Sequence, residues 1–211
     1  MIDIGNINIK MQNIIINSPQ GSGNIFASFL VKKLSTCKQA YVSHEPNRLT
    51  SGEKQVVFIR NPYDSIASAT ERHLDSVPYR FINEKISIDD KKSLKEFISD
   101  YIIIYKLFIN GIDDNKNLLI ILFEDLSSDP IDVAKKINTF FNFEFIDQEK
   151  NFDINSYIYN EMLMANQEAR SPRKRTESRE TIEALIKTFP DIKNVYNQYL
   201  RVKEKLQLTE I

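Results

Sequence analysis

Two closely spaced glycines in the N-terminal part of the chain are typical of an anion-binding loop. Gly21 and Gly23 follow an apolar run at 14–16 and precede an amphipathic helical pattern that starts near Ile25. In such a loop the backbone N–H groups can converge, and the N-terminus of the following helix adds partial positive charge. Residues 20–26 therefore form a candidate phosphate-binding loop. The alternative is an ordinary tight turn between a strand and a helix.

A second stretch places a cation and a hydroxyl where one phosphate could reach both. Arg60 follows the apolar run 56–59, and Ser68 lies in the opening turns of the helix that Asn61-Pro62 introduces. The guanidinium of arginine offers a planar fork of donors that fits a phosphate. Arg60 and Ser68 are therefore candidate phosphate ligands. The alternative is a surface arginine next to a capped helix.

A candidate general base follows the second predicted strand. His44 and Glu45 come directly after the strand pattern 40–43. Histidine titrates near neutral pH, which suits a group that must accept a proton during catalysis. We expect His44 to act as the base, with Glu45 as the fallback. The alternative for His44 is a strand-end histidine bonded to the backbone, and His73 is given no role.

These residues converge if the chain folds as an α/β protein. Strand patterns at 14–16, 40–43, 56–59 and 118–123 alternate with helical patterns, which predicts a parallel sheet with helices on both faces. In such sheets ligands bind beyond the carboxyl ends of the strands. The glycine loop, His44 and Arg60 follow three successive strands, so we expect them at one edge of the sheet.

The remaining segments are predicted from periodicity and from turn residues. Polar connections are expected at 47–54 and 76–91, a basic loop at 171–175, and a small hairpin or an edge strand within 2–9. The predicted helices span about 25–36, 63–74, 94–109, 131–141, 156–168, 181–189 and 192–206.

Composition limits the classes of function. The 211 residues, 42% hydrophobic and 27% charged, predict one globular domain over 1–211. The net charge of -1 provides no bulk positive field, so we expect neither nucleic acid nor a membrane as a partner. One cysteine and the absence of a signal-peptide pattern favour a cytoplasmic location, and two histidines with one cysteine argue against a metal site.

The segment from Arg60 to Ser68 resembles a motif of the sulfotransferases that use 3′-phosphoadenosine 5′-phosphosulfate (PAPS). Their 3′-phosphate-binding segment is Arg-Asn-Pro-x-Asp-x-x-x-Ser, and this chain matches every fixed position. Residues 22–26 resemble the family's 5′-phosphosulfate loop, and 43–46 resemble the segment that carries its catalytic histidine. Residues 123–130 are similar to its Tyr-Glu-Asp-Leu-x-x-Asp-Pro segment. The resemblance covers about 14–141.

The resemblance implies a central parallel sheet flanked by helices, in a three-layer fold like that of P-loop nucleotide kinases. It implies sulfuryl transfer from PAPS, as co-substrate, to a hydroxyl or amine of a small-molecule or glycan acceptor, with His44 as general base. Phe26 takes the place of a loop tryptophan that stacks on adenine, with an ordinary core phenylalanine as the alternative. The implied nucleotide-binding residues are Gln20, Gly21, Ser22, Gly23, Asn24, Ile25, Phe26, Arg60, Ser68, Arg173 and Lys174.

Two departures from the family pattern keep other functions open. Gln20 and Gly21 replace the loop lysine that contacts the transferring group, and Ile25 replaces a threonine. One alternative is a non-catalytic relative that binds PAPS or its product 3′-phosphoadenosine 5′-phosphate (PAP). The other is a nucleoside or nucleotide kinase, although the Gly-x-x-x-x-Gly-Lys-[Ser/Thr] motif is missing.

Overall fold

Four strands form one parallel sheet in the part of the chain that the structure describes. This computed structural model describes residues 13–75, 91–112, 115–148, 152–164 and 177–209. The strands are β1 (Asn13–Asn17), β2 (Gln39–Ser43), β3 (Gln55–Ile59) and β4 (Leu118–Leu122), in the spatial order β2-β1-β3-β4. All pairings are parallel, with Ile16 level with Val56. The carboxyl ends of all four strands therefore meet at one edge of the sheet.

Helices connect the strands and continue after the last one. Pro46–Thr50 is a short 3-10 helix between β2 and β3. The α-helices of the described residues are α1 (Asn24–Leu34), α2 (Pro62–Asp75), α3 (Lys91–Gly111), α4 (Phe123–Ser128), α5 (Pro130–Phe141), α6 (Ile154–Met164), α7 (Glu177–Ile186) and α8 (Asp191–Thr209).

The core lies on both faces of the sheet, because successive side chains of a strand point to opposite faces. On β3, Val56 and Phe58 pack into a cluster with α1, α5 and α6. Val57 and Ile59 pack on the other face with α2, α3, α7 and α8. All five residues of β3 are buried. The predicted α/β fold, a central parallel sheet between two layers of helices, is confirmed.

The outer strand β2 differs from the inner ones in burial. Tyr41 is 48% exposed and Val42 is 39% exposed, whereas β1 contains the fully buried Ile14 and Ile16. Strand β2 lies at the edge of the sheet and pairs only with β1 among the described strands. A residue that directly follows β2 therefore lies at the outer side of the sheet, on the edge where the carboxyl ends of the strands meet.

Some predicted boundaries are wrong. Phe123 begins α4 rather than ending β4. The segment 47–54 is not simply a polar connection, because it contains most of the 3-10 helix, whose Leu49 is fully buried and faces α3 at Gly111. Helix α1 ends at Leu34, since Ser35 is extended and forms a bridge with Phe145. The predictions for 2–9, 76–90, 165–168 and 171–175 lie outside the described residues.

Candidate functional site

The glycine loop after β1 is tightly packed against two neighbouring helices. Gly21 and Gly23 have φ angles of +78° and +87°, in the left-handed region that favours glycine. A Cβ on Gly21 would lie 2.5 Å from the carbonyl oxygen of Ser65 on α2. A Cβ on Gly23 would lie 2.9 Å from side-chain atoms of Phe123 and Leu126 on α4. Both positions therefore require glycine if the loop is to keep this place.

The loop presents backbone donors at the N-terminus of α1. Gly23 is the N-cap residue of this helix, which has no side-chain cap hydrogen bond within the described residues. The first intrahelical bond runs from the N–H of Ala27 to the carbonyl of Gly23 at 3.0 Å. The N–H groups of residues 23–26 bond to no acceptor among the described residues. Such orphan N–H groups, with the positive end of the helix dipole, suit an anion.

The turn after β3 brings Arg60 and Ser68 to this loop. The Asn61 side chain accepts a hydrogen bond from the N–H of Tyr63 at 3.0 Å, and Pro62 is the first residue of α2. This cap turns the chain directly after Arg60. The Arg60 Nη1 donates to the carbonyl of Gly21 at 3.1 Å and lies 3.5 Å from Ser68 Oγ. The structure thus brings together three of the residues that the sequence predicted.

The Arg60 side chain packs on an aromatic ring beside the glycine loop. Its guanidinium carbon lies 4.4 Å from the centre of the Phe123 ring, a cation–π contact. Among the described residues, no carboxylate forms an ion pair with it, and its Nε and Nη2 face no acceptor. Burial lowers the pKa of Arg60 below its usual value, and the charge of Asp64 offsets only part of this effect. A half-buried guanidinium that contacts no carboxylate in the described part of the chain is suited to bind an anionic ligand.

Several hydroxyl groups contact the loop and the turn after β3, and the sequence analysis missed those of Ser65, Tyr101 and Tyr105. Ser65 Oγ donates to the carbonyl of Gln20 at 2.7 Å and lies 3.3 Å from Ser22 Oγ. The hydroxyl of Tyr101 donates to Gln20 Oε1, and that of Tyr105 donates to the carbonyl of Arg60. The signal that could have found them is spacing. Ser65 precedes Ser68 by three residues, and the tyrosines are four apart, so each pair shares one helix face.

His44 lies beside the same loop, at the carboxyl end of β2. Its Nδ1 lies 2.8 Å from the carbonyl oxygen of Ser18 and 3.2 Å from Asn24 Nδ2. A carbonyl oxygen only accepts hydrogen bonds, so the shorter contact places the proton on Nδ1, and Asn24 Nδ2 donates instead to the same carbonyl at 3.2 Å. The lone pair of the neutral ring is then on Nε2, the atom a general base would use. The backbone bond predicted as the alternative for His44 is thus present and also orients the ring.

A buried amide fixes the chain next to His44. Asn17 Nδ2 donates to the carbonyl of Glu45 at 2.9 Å, and Asn17 Oδ1 accepts from the Glu45 N–H at 3.1 Å. The same Nδ2 also donates to Gln55 Oε1 at 2.9 Å. These bonds join the ends of β1 and β2. The two bonds from Asn17 hold the backbone of Glu45 in place, although the residue as a whole is exposed.

A cluster of ion pairs on α7 holds the helix that follows Arg60. Arg179 is 9% exposed and bonds to Glu71 Oε2 at 3.0 Å and Glu183 Oε1 at 2.7 Å. It also lies 3.3 Å from Asp64 Oδ1, in the first turn of α2. Burial lowers the pKa of Arg179, but its bonds to Glu183 and Glu71 outweigh this effect, and the pKa is raised. The Arg179 side chain therefore stays positively charged, and its ion pairs hold it against α2.

The other predicted site residues have different environments. Phe26 is half-buried and packs against the core cluster on its face of the sheet, as the core alternative requires. Ile25 is half-buried, and its carbonyl accepts a hydrogen bond from Ser28 Oγ at 2.8 Å. Arg173 and Lys174 lie outside the described residues, so their assignment to the nucleotide remains a prediction.

The described residues contain neither a candidate metal site nor a candidate membrane span. There, no three His, Cys, Asp or Glu side chains lie close enough together to bind a metal ion. In the same part of the chain, no helix has both the length and the apolar character needed to span a bilayer.

Comparison with known proteins gives structural likenesses but no sequence match. The fold resembles the crystal structure of the mouse sulfotransferase SULT7A1 complexed with PAP, with a TM-score of 0.49 and 14% sequence identity. The alignment covers 90% of this chain and 82% of the mouse chain. No protein-family model and no curated protein matches the sequence.

Proposed function

We propose that this chain is a sulfotransferase that moves a sulfuryl group from PAPS to a hydroxyl or amine acceptor. One observation carries the proposal. The Arg60 guanidinium has no carboxylate partner among the described residues, yet it lies beside Ser68 Oγ and the glycine loop. PAPS carries a phosphate at the 3′ position of its ribose and a phosphosulfate at the 5′ position. Two separate anion-binding elements at one edge of the sheet suit such a ligand.

The site residues divide into three tasks. Arg60 and Ser68 would bind the 3′-phosphate, and the N–H groups of residues 23–26 would bind the 5′-phosphosulfate. His44 would take the proton of the acceptor at Nε2, because its Nδ1 is engaged with the carbonyl of Ser18.

Transfer would follow the in-line course of phosphoryl-type reactions. The acceptor oxygen or nitrogen forms a bond to sulfur, and the bond from sulfur to the bridging phosphate oxygen breaks. PAP leaves with that electron pair, while the acceptor proton passes to His44. Positioned N–H donors would stabilise the charge that develops on the transferring group.

One feature favours a second candidate, a relative that binds PAP or PAPS without transferring sulfate. The position of the family's loop lysine is taken by Gln20 and Gly21, and the Gln20 amide oxygen accepts from the Tyr101 hydroxyl. A neutral amide stabilises a departing anionic group less than a cation does. This candidate predicts tight nucleotide binding with no transfer to any acceptor.

Calorimetry with matched nucleotides tests the proposed function. The unmodified protein should bind PAP more tightly than adenosine 5′-phosphate, which lacks the 3′-phosphate. Arg60→Ala should reduce this preference by about 1.5–3 kcal/mol, the usual contribution of a hydrogen bond to a charged group. Arg201→Ala, which removes an exposed arginine of α8, is the control and should leave the preference unchanged. Equal affinities of the unmodified protein for the two nucleotides would refute the proposal.

A further inference from the structure

Helix α3 directs two tyrosine hydroxyls at the two halves of the candidate site. The Tyr101 hydroxyl bonds to the side chain of Gln20 in the glycine loop. The Tyr105 hydroxyl bonds to the backbone carbonyl of Arg60, after β3. The two tyrosines are four residues apart and therefore lie on one face of the helix. One rigid element thus contacts both anion-binding segments.

The environment of the pair fits a positioning role. Tyr101 is 7% exposed and Tyr105 is 1% exposed, and both belong to the core cluster on this face of the sheet. The rings of Tyr101 and Phe97 lie 4.8 Å apart. Burial raises the pKa of Tyr105, so its hydroxyl stays protonated and remains a donor. A buried tyrosine normally has a partner for its hydroxyl, and here the partners belong to the site.

Each hydroxyl constrains a different part of the ligand site. The bond from Tyr105 fixes the peptide of Arg60 just before the chain turns into α2, which sets where the guanidinium points. The bond from Tyr101 fixes the amide of Gln20, whose own carbonyl is already held by Ser65 Oγ at 2.7 Å. With Oε1 occupied, the Gln20 Nε2 is left as a donor that has no acceptor among the described residues.

We propose that Tyr101 and Tyr105 are positioning residues with separate tasks, resting on the proposed function above. Tyr105 positions Arg60 for the 3′-phosphate. Tyr101 positions Gln20 so that its amide N–H donates to the group at the 5′ end, in the region where the family's lysine is replaced by a neutral residue.

Tyrosine-to-phenylalanine variants separate the two tasks, because they remove only the hydroxyl. Three ligands are compared by calorimetry: PAP, adenosine 5′-phosphate and adenosine 3′-phosphate. Tyr105→Phe should reduce the preference for PAP over adenosine 5′-phosphate by about tenfold, the effect of one hydrogen bond, and leave the preference over adenosine 3′-phosphate intact. Tyr101→Phe should give the opposite pattern.

Two further variants test whether the effects come from the hydroxyl groups of Tyr101 and Tyr105. Tyr196→Phe alters a half-buried tyrosine of α8 whose hydroxyl has no hydrogen bond among the described residues, and it should change neither preference. Gln20→Leu removes the acceptor of Tyr101 without altering the core helix, and it should reproduce the effect of Tyr101→Phe. A uniform loss of affinity for all three ligands would indicate general destabilisation and would overturn the proposal.

Hydrogen exchange without nucleotide tests the positioning directly. Tyr101→Phe should speed exchange only at Ser18 and Ala27, the hydrogen-bonded amides on either side of the glycine loop. Tyr105→Phe should speed it only at Tyr63 and Ser65, whose N–H groups bond to Asn61 after the Arg60 peptide. Unchanged exchange in both variants would overturn the positioning roles even if PAP binds. If the variants change exchange as expected but the unmodified protein shows no preference for PAP, the positioning roles stand and the proposed function is rejected.

Discussion

The side-chain amide of Asn17 makes two hydrogen bonds with the backbone of Glu45, one as donor at 2.9 Å and one as acceptor at 3.1 Å. Asn17 ends β1, which leads into the glycine loop, and Glu45 follows His44 at the end of β2. The amide therefore fixes the distance between the candidate phosphate-binding loop and the proposed base. Both groups can act on one ligand only if this distance is maintained.

We predict that Asn17→Ala destabilises the protein by about 1–3 kcal/mol, since it leaves buried polar partners of Asn17 unpaired. Urea unfolding measures this loss. Asn117→Ala is a suitable control, because Asn117 Nδ2 makes a comparable 3.0 Å bond to the carbonyl of Gly52 in an exposed turn. Equal losses in the two variants would contradict a special role for the buried amide.

His44→Asn should retain nucleotide affinity and lose turnover. The asparagine amide can still donate to the carbonyl of Ser18, which His44 Nδ1 contacts at 2.8 Å, but it offers no basic nitrogen. Loss of a general base typically lowers the rate about 10²–10⁴-fold. The measurement is single-turnover transfer from PAPS to a competent acceptor, with His73→Asn as the control. Turnover of His44→Asn at the parental rate would assign the proton to Glu45 or to water.

Gly21→Ala should abolish tight nucleotide binding, whereas Gly52→Ala should not. Both glycines have a φ of +78°, so both variants bear the same backbone strain, about 1–2 kcal/mol. They differ in space: a Cβ on Gly21 would lie 2.5 Å from the Ser65 carbonyl oxygen, whereas a Cβ on Gly52 would meet no atom within 4 Å. Calorimetry with PAP on both variants separates strain from steric displacement of the loop. Equal affinities would show that the loop tolerates the displacement.

Arg179→Ala should destabilise the protein by about 3–5 kcal/mol, because it leaves the carboxylates of Glu71 and Glu183 without their buried partner. Arg48→Ala is the matched control. Arg48 pairs with Glu53 at a similar distance of 3.2 Å, but at a more exposed position, so its loss should change stability by at most about 1 kcal/mol. Urea unfolding of both variants measures the difference. A small effect of Arg179→Ala would show that water replaces the guanidinium easily.

Local patterns were sufficient to predict the sheet, the loop and the Arg60–Ser68 pair. Apolar runs such as 56–59 identify buried strands, and the cap formed by Asn61 and Pro62 identifies the start of α2. Leu49 escaped prediction because it is a single apolar residue among polar ones, and it is buried by packing against elements distant in the sequence, such as α3.

Contacts between distant parts of the chain could not be predicted in this way. The bond from Tyr101 to Gln20 joins residues 81 positions apart, and that from Arg179 to Glu71 joins residues 108 positions apart. No periodicity encodes which side chains meet across the sheet edge. The sequence therefore predicts which segments carry the candidate anion-binding groups, whereas the residues that hold these groups in place appear only in the folded chain.

The two core clusters give the candidate site a mechanical consequence. The glycine loop continues into α1, which packs on one face of the sheet, whereas Arg60 continues into α2, which packs on the other. An anion bound by both segments would link the two helical layers at the edge of the sheet, although the strands separate these layers elsewhere. Local unfolding of either layer would weaken nucleotide binding. A bound nucleotide would therefore stabilise both layers against unfolding.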